Sequence, residues 1–137
     1  MSRNSFVAAF AVGSGLLLGA ASLLAHHSLA SEFDPTKPVK VAGVVRKVEW
    51  KNPHIWFYVE GKDDVSGRTA VWGFLASAAN QLRRRGVSRN VLKVGDMVKV
   101  EGFMAKDGSN NAVGTQEGCS LCRITFADGR PVFPNSP

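Results

Sequence analysis

The alternation of apolar and polar positions beyond residue 38 predicts a domain built from β-strands. The first strand ends near Trp50, and its period slips near Gly43, where we expect a bulge or a strong bend. Residues 54–60 and 68–75 form two further strands, rich in aromatic and β-branched side chains. Residues 97–103 and part of 112–126 complete a set of five. The apolar positions of the first strand are four valines: Val39, Val41, Val44 and Val48.

One segment breaks this pattern. Residues 77–85 are composed of helix-forming side chains, and Gly86 provides a C-terminal stop. Three strands, a short helix and two more strands are the order of an OB-type fold. The predicted fold class is therefore all-β: a five-stranded OB-like barrel with one short helix between strands three and four. A small lipocalin-like barrel or a sandwich is the alternative, but neither explains the helix.

The N-terminal segment has the composition of an export signal. A basic start with Arg3 precedes an apolar run from Phe6 to Leu24, and a small residue, Ala25, follows. We expect residues 1–25 to be a cleaved signal helix, residues 26–38 an extended arm and residues 39–137 the OB-like domain. The arm should be irregular over residues 31–38, because Pro35 and Pro38 keep the residue before each of them out of the helical region. A retained membrane anchor, or cleavage after Ala21 or Ser22, is the alternative. The prediction places the mature protein in the periplasm or outside the cell, without a membrane span.

Charge and motif content restrict the function. The chain has 17 basic and 11 acidic residues and a net charge of +6, which favours anionic surfaces as partners. No nucleic-acid motif accompanies this charge, and we expect no nucleic acid among the partners, whose identity the sequence leaves unknown. The motifs of serine hydrolases, zinc proteases and phosphate-binding loops are missing, so we expect a binding role in preference to catalysis.

Three histidines are the main candidates for chemistry. If the signal is cut after Ala25, His26 becomes the N-terminal residue, and its α-amine and imidazole can chelate one metal ion together. A cut one residue earlier places His27 third from a free amine, which also suits Cu(II) or Ni(II). Nitrogen-only planar sites favour Cu(II). With His54, at the start of the second strand, as a third ligand, the sequence predicts a copper site; a solvated histidine pair and a turn histidine are the alternative.

Two acidic residues and two cysteines extend this hypothesis. Glu32 and Asp34 lie in the arm, where they could ligate the metal or orient a ligating imidazole; an exposed acidic arm without a metal is the alternative. Cys119 and Cys122 are the only cysteines, and in an exported protein a disulfide between them is the default, with a thiol pair as the alternative.

A second interpretation needs no metal. The aromatic side chains of Trp50, Trp56 and Trp72 could stack on a ligand, as aromatic residues on OB surfaces do. The basic helix end formed by Arg83, Arg84 and Arg85 could hold an anionic polymer or saccharide. The alternative is that the tryptophans pack the core and the arginines form a solvated face.

Five short blocks together resemble a family of small exported bacterial proteins known only as a domain of unknown function. The resemblance implies an exported, OB-like β-barrel with the histidine pair directly after the signal, and no established activity. It does not extend to Cys119 and Cys122, which depart from the family pattern. The blocks are His26-His27-Ser28, Glu32-Phe33-Asp34, Gly43-Val44-Val45 with Val48-Glu49-Trp50, Asn52-Pro53-His54, and Leu92 to Asp96 with Glu101-Gly102.

Overall fold

The computed structural model describes residues 31–114 and 122–133, and this part of the chain is mostly β sheet with one short helix. The chain divides into two compact units, Met1–Glu32 and Phe33–Pro137, and every element named here belongs to the second. The elements in chain order are β1 (Phe33–Glu49), β2 (Trp56–Asp63), β3 (Thr69–Leu75), α1 (Ala79–Arg84), β4 (Met97–Ala105), β5 (Asn111–Val113) and β6 (Arg123–Phe126).

Five of the strands pair in a closed ring. The order is β1-β2-β3-β5-β4, and a β1–β4 pairing closes it, while β6 lies against β4. Only the β3–β5 pairing is parallel among these pairs. A path that follows paired residues from strand to strand around the ring comes back to β1 at a different residue from the one where it began. The strands are therefore staggered and tilted. The path runs from Glu49 through Trp56, Leu75, Val113 and Phe103 to Pro38.

The length of β1 makes the closure possible. Its first part pairs with β4 and its last part with β2, and residues 41–44 pair on both sides. In this doubly paired stretch Gly43 lies opposite Gly61 of β2. A Cβ atom on Gly43 would overlap the Glu60 carbonyl oxygen and come within 2.7 Å of the Gly61 Cα. Two facing glycines therefore allow the backbones to approach more closely than side chains would permit.

Alternate residues of the strands fill the ring. Ile55, just before β2, and Phe57 and Val59 within it are completely buried. Phe57 stacks on Phe74 with ring centroids 5.4 Å apart. The short helix α1 buries Ala79 and Leu82 against the same core. The strand pattern therefore separates an inner apolar face from an outer polar one, as half-buried antiparallel strands do.

The helix between the third and fourth strands is confirmed, and Gly86 follows it with a φ of 80°. Other details differ from the sequence expectation. β1 already begins at Phe33, so the last residues of the predicted arm are part of a strand. The bulge lies at Arg46, because Val45 pairs with Val59 and Lys47 with Tyr58. A sixth strand, β6, is present, and the predicted signal helix lies outside the described residues.

Candidate functional site

The connection between β1 and β2 places His54 beside the entrance to α1. Lys51 and Asn52 lead into Pro53 through a cis peptide bond between Asn52 and Pro53. The backbone then runs next to the end of β3: the Ile55 N–H donates to the Ser77 carbonyl at 3.4 Å, and the Ala76 N–H donates to the Ile55 carbonyl at 2.8 Å. These bonds fix the backbone on the C-terminal side of His54.

The His54 side chain has an unusual environment. The residue is half-buried, and its Nδ1 atom is buried without a hydrogen-bond partner in the part of the chain that the structure describes. A neutral imidazole has one N–H donor and one acceptor nitrogen, and both can be expected to have partners when they are buried. His54 therefore has a coordination or hydrogen-bonding position that the described residues do not fill.

The other predicted ligands are distributed differently. His26 and His27 lie outside the described residues, and Glu32 is exposed at the end of the N-terminal unit. Asp34 lies near the start of β1, where Phe33 pairs with Ala105, whereas His54 follows the opposite end of the same strand. Among residues 31–114 and 122–133, no three histidine, cysteine or acidic side chains are grouped as a metal site.

Asp34 is occupied by local contacts. Its Oδ1 accepts hydrogen bonds from the Thr36 hydroxyl at 2.6 Å and the Thr36 N–H at 2.9 Å, and Lys37 Nζ lies 3.8 Å from Oδ2. The bonds from Thr36 hold the pKa of Asp34 below its ordinary value, with a smaller effect from Lys37 and Lys106. Asp34 thus acts first as the acceptor of a local turn.

The aromatic candidates do not form one surface. Trp72 is completely buried, and its Nε1 donates to the Gly61 carbonyl at 3.2 Å. Trp50 is half-buried against the core, and Trp56 is half-buried opposite Glu49. Only Trp50 and Trp56 therefore have ring surface available to a ligand.

The three arginines lie at the C-terminal end of α1. Arg83 and Arg84 are exposed, Arg85 is half-buried, and Arg83 donates to Asn80 Oδ1 at 3.2 Å. Since His54 is tied to the helix entrance through Ile55 and Ser77, the arginines occupy the other end of this short helix.

A polar network near His54 was missed by the sequence analysis. Glu49 accepts hydrogen bonds from Lys47 at 2.9 Å, from Lys51 at 3.4 Å and from the Tyr58 hydroxyl at 3.1 Å. The Lys47 hydrogen bond, followed by that of Tyr58, lowers the pKa of Glu49; burial and then Glu49 raise that of Tyr58. The spacing Lys47-x-Glu49-x-Lys51 at the end of β1 was a visible signal, but the contact of Glu49 with Tyr58 depends on the bulge at Arg46.

Only one of the two cysteines, Cys122, lies in the part of the chain that the structure describes. Cys122 is disulfide-bonded, and Cys119 lies outside the described residues. The pairing of the two stays a prediction.

A groove of about 320 Å³ lies between β1 and β4, away from His54. A 2.7 Å ion pair between Lys40 and Glu101 crosses it. Its lining is Pro38, Val39, Lys40, Val65, Glu101, Gly102 and Phe103, which offers no imidazole or thiolate ligand.

Comparison with known proteins adds a family but no activity. Among the described residues, no helix has the length and apolar character needed to cross a bilayer. Neither the curated proteins nor the solved structures contain a match to the chain. A family model matches residues 15–116, which include the predicted histidine pair and all five strands of the ring, β1 to β5. The chain therefore belongs to a family of unknown function, DUF6152.

Proposed function

We propose that this protein is an exported, OB-like β-barrel domain that binds one Cu(II) ion through His54 and the pair His26 and His27. The ring order β1-β2-β3-β5-β4, the parallel β3–β5 pairing and the helix between β3 and β4 support the OB-like assignment. The metal assignment rests on one observation: the buried Nδ1 of His54 lacks a partner among the described residues.

The chemistry of the candidate ligands favours copper. Imidazole and a free α-amine are both nitrogen donors, and nitrogen donors in a tetragonal arrangement are the preferred set of Cu(II). His54 is held between the β1–β2 connection and the end of β3, so it would be a fixed ligand. His26 and His27 would supply the remaining ligands, and they precede β1 by only seven and six residues.

Chain length sets a strict condition on this site. From His26 to Phe33 the backbone can span roughly 24 Å when extended. Phe33 pairs with Ala105, the neighbour of Met104, and paired residues connect Met104 through Ala112 and Phe74 to Phe57, three residues from His54. This path around the ring is about 30 Å, and the direct line across the end of the ring is shorter. Ser31 and Glu32 already have helical backbone. A shared site therefore requires a nearly extended chain over residues 26–30.

Copper titration of the processed protein tests the proposal. We expect one Cu(II) per chain by calorimetry, and nitrogen coupling from imidazole in the electron paramagnetic resonance spectrum. His54→Ala should weaken Cu(II) affinity by at least about 10-fold, since even outer-shell changes at metal sites cost that much. Tyr58→Phe is the matched control, because it alters a neighbouring strand residue and leaves every proposed ligand in place.

Two results would decide against it. Unchanged affinity in His54→Ala would restrict the site to the N-terminal histidines. Unchanged affinity in a His26→Ala/His27→Ala double variant as well would remove the metal proposal entirely.

A non-metal ligand site is the second candidate. The half-buried rings of Trp50 and Trp56 lie next to the Glu49, Lys47 and Tyr58 network, so an aromatic surface with polar groups exists at this end of β1. A saccharide or an anionic polymer would use stacking and hydrogen bonds there. Quenching of tryptophan fluorescence by such ligands, lost in Trp56→Ala and retained in His54→Ala, would favour this function over copper.

A further inference from the structure

A row of outward-facing side chains crosses four neighbouring strands of the ring. Met97 of β4 pairs with Val44, Val44 with Glu60, and Glu60 with Val71 of β3. Met97 is 52% exposed and Val71 50% exposed. The outer surface thus carries large apolar side chains at positions that face solvent, where polar side chains are more common.

The turn before β4 adds a third exposed apolar side chain on this side. Val94 is 67% exposed at its tip. The turn is attached to β1, because the Gly95 N–H donates to the Val45 carbonyl at 2.8 Å and the Asp96 carbonyl accepts from the Val45 N–H at 2.9 Å. Val94 therefore lies near the Val44 and Met97 end of the row. We call Val44, Val71, Val94 and Met97 the outer apolar row.

Lysines border the outer apolar row. In the next row of paired residues, Ala42 of β1 lies between Lys62 of β2 and Lys99 of β4. Lys93 directly precedes Val94 in the turn. All three lysines are exposed, and the structure gives their side chains no ion-pair partner within the described ranges.

Two acidic groups lie near the row, and one of them, Glu60, is neutralised by an ion pair. Glu60 accepts a hydrogen bond from Arg46 at 2.5 Å, and Asp96 accepts one from the Lys93 backbone N–H at 2.8 Å. Val44, Val94 and Met97 thus lie on one side of the Glu60–Arg46 ion pair and Val71 on the other. Asp96 offsets the charge of Lys93, so Lys62 and Lys99 supply the net positive charge at the border.

We propose that this face binds an anionic phospholipid surface. Lysines near such a surface are each attracted to the headgroups, and apolar side chains enter the boundary between headgroups and acyl chains. A second copy of this chain fits poorly, because its lysines would meet lysines of the same sign. Four apolar side chains are also few for a stable protein interface, which buries about 800 Å² on each partner.

Amine footprinting of the full chain on vesicles tests this proposal, whether or not the N-terminal segment is retained. Acetylation is measured by peptide mass spectrometry on vesicles of phosphatidylcholine alone and on vesicles containing an equal part of phosphatidylglycerol. We expect Lys62, Lys93 and Lys99 to be protected several-fold on the anionic vesicles only. Lys37 and Lys51, which lie elsewhere, should react equally on both.

Charge-matched variants complete the experiment, with Lys93 protection as the common readout. Lys62→Gln/Lys99→Gln should weaken association about 30-fold, the effect of two lysine–headgroup attractions. Arg83→Gln/Arg84→Gln also removes two positive charges, but from α1, and it should leave Lys93 protected. Val94→Ser/Met97→Ser should also reduce protection. Equal labelling on the two vesicle types, or equal loss in the two charge variants, would overturn the proposal.

Discussion

At the scale of single residues, Asp63 organises the loop between β2 and β3. It is completely buried, and its carboxylate accepts four hydrogen bonds. The donors are the N–H groups of Lys40 at 2.8 Å, Val65 at 3.2 Å and Ser66 at 2.9 Å, and the Ser66 hydroxyl at 2.5 Å. One side chain thus connects the loop to β1, through backbone groups that would otherwise lack a partner.

Replacing Asp63 should therefore destabilise the fold. Asp63→Ala leaves several donors without an acceptor, and we expect a loss of about 3 kcal/mol in the free energy of unfolding. Urea denaturation measures this. Ser66→Ala is the control: it removes one donor and keeps the carboxylate, so its cost should be about 1 kcal/mol. Equal losses in the two variants would show that the carboxylate has no special role.

The same residue predicts an acid dependence of stability. Burial raises the pKa of Asp63, but hydrogen bonds from Ser66, Lys40 and Val65 outweigh it, and the pKa is lowered overall. The stabilisation is therefore complete above the unfolded-state pKa of about 3.9, and it is lost as the pH falls through the lower, folded-state value. Unfolding free energies measured between neutral and acid pH should fall less steeply in Asp63→Asn than in the wild type.

The candidate site shows what sequence can and cannot supply at this scale. Residue type and position in the sequence identified His54 as a candidate metal ligand. Its buried, unpartnered Nδ1 was not predictable, because burial of a side-chain atom depends on segments that are distant in sequence, and the Ile55 to Ser77 hydrogen bond shows that such segments meet beside His54. Tyr58 was likewise assigned to a strand, but its bond to Glu49 requires the one-residue shift at Arg46.

At the scale of elements, β1 shows why its first residues were expected to be an irregular arm. Pro35 and Pro38 lack an N–H donor, and prolines are normally placed at strand edges or bulges. The pairing is indeed irregular there: Phe33 lies opposite Ala105 and Pro38 opposite Phe103. Sequence therefore predicted the irregularity, but not that the chain on both sides of it pairs with β4.

The facing glycines of β1 and β2 give the prediction for this scale. Gly43→Ala places a Cβ atom against backbone atoms of Glu60 and Gly61, which cannot move aside as a side chain could. We expect a destabilisation of about 3 kcal/mol, the upper part of the range for overpacking. Thermal and urea unfolding measure it.

Gly108→Asn is a suitable control for that variant. Gly108 has a φ of 77° and open space around its Cα, and asparagine tolerates this conformation. Its stability should change little. A Gly43→Ala protein as stable as this control would mean that the two strands can separate at no cost.

At the scale of the whole molecule, the strand order was more predictable than the pairings. Alternation and turn residues are local, so three strands, a helix and further strands could be assigned from short windows. The parallel β3–β5 pairing and the pairing of β1 with β4 join distant segments, which no short window contains. The sequence predicted a closed barrel only by analogy to an OB-type order, and it did not predict the parallel pairing. The division of residues 112–126 into β5 and β6 was not anticipated, since one strand satisfied the apolar pattern.

Copper binding should stabilise the ring only if the proposed site joins the N-terminal histidines to His54. A ligand that binds the folded state alone raises its stability, by about 2.7 kcal/mol at a concentration 100 times the dissociation constant. For a domain of this size that corresponds to an increase in Tm on the order of 10 °C. Differential scanning calorimetry of the processed protein with and without Cu(II) should show this increase, and a chelator should reverse it. The increase should disappear in His54→Ala and in His26→Ala/His27→Ala. If Cu(II) binds the wild type tightly and leaves its Tm unchanged, the metal is held by the N-terminal segment alone, and the ring has another function.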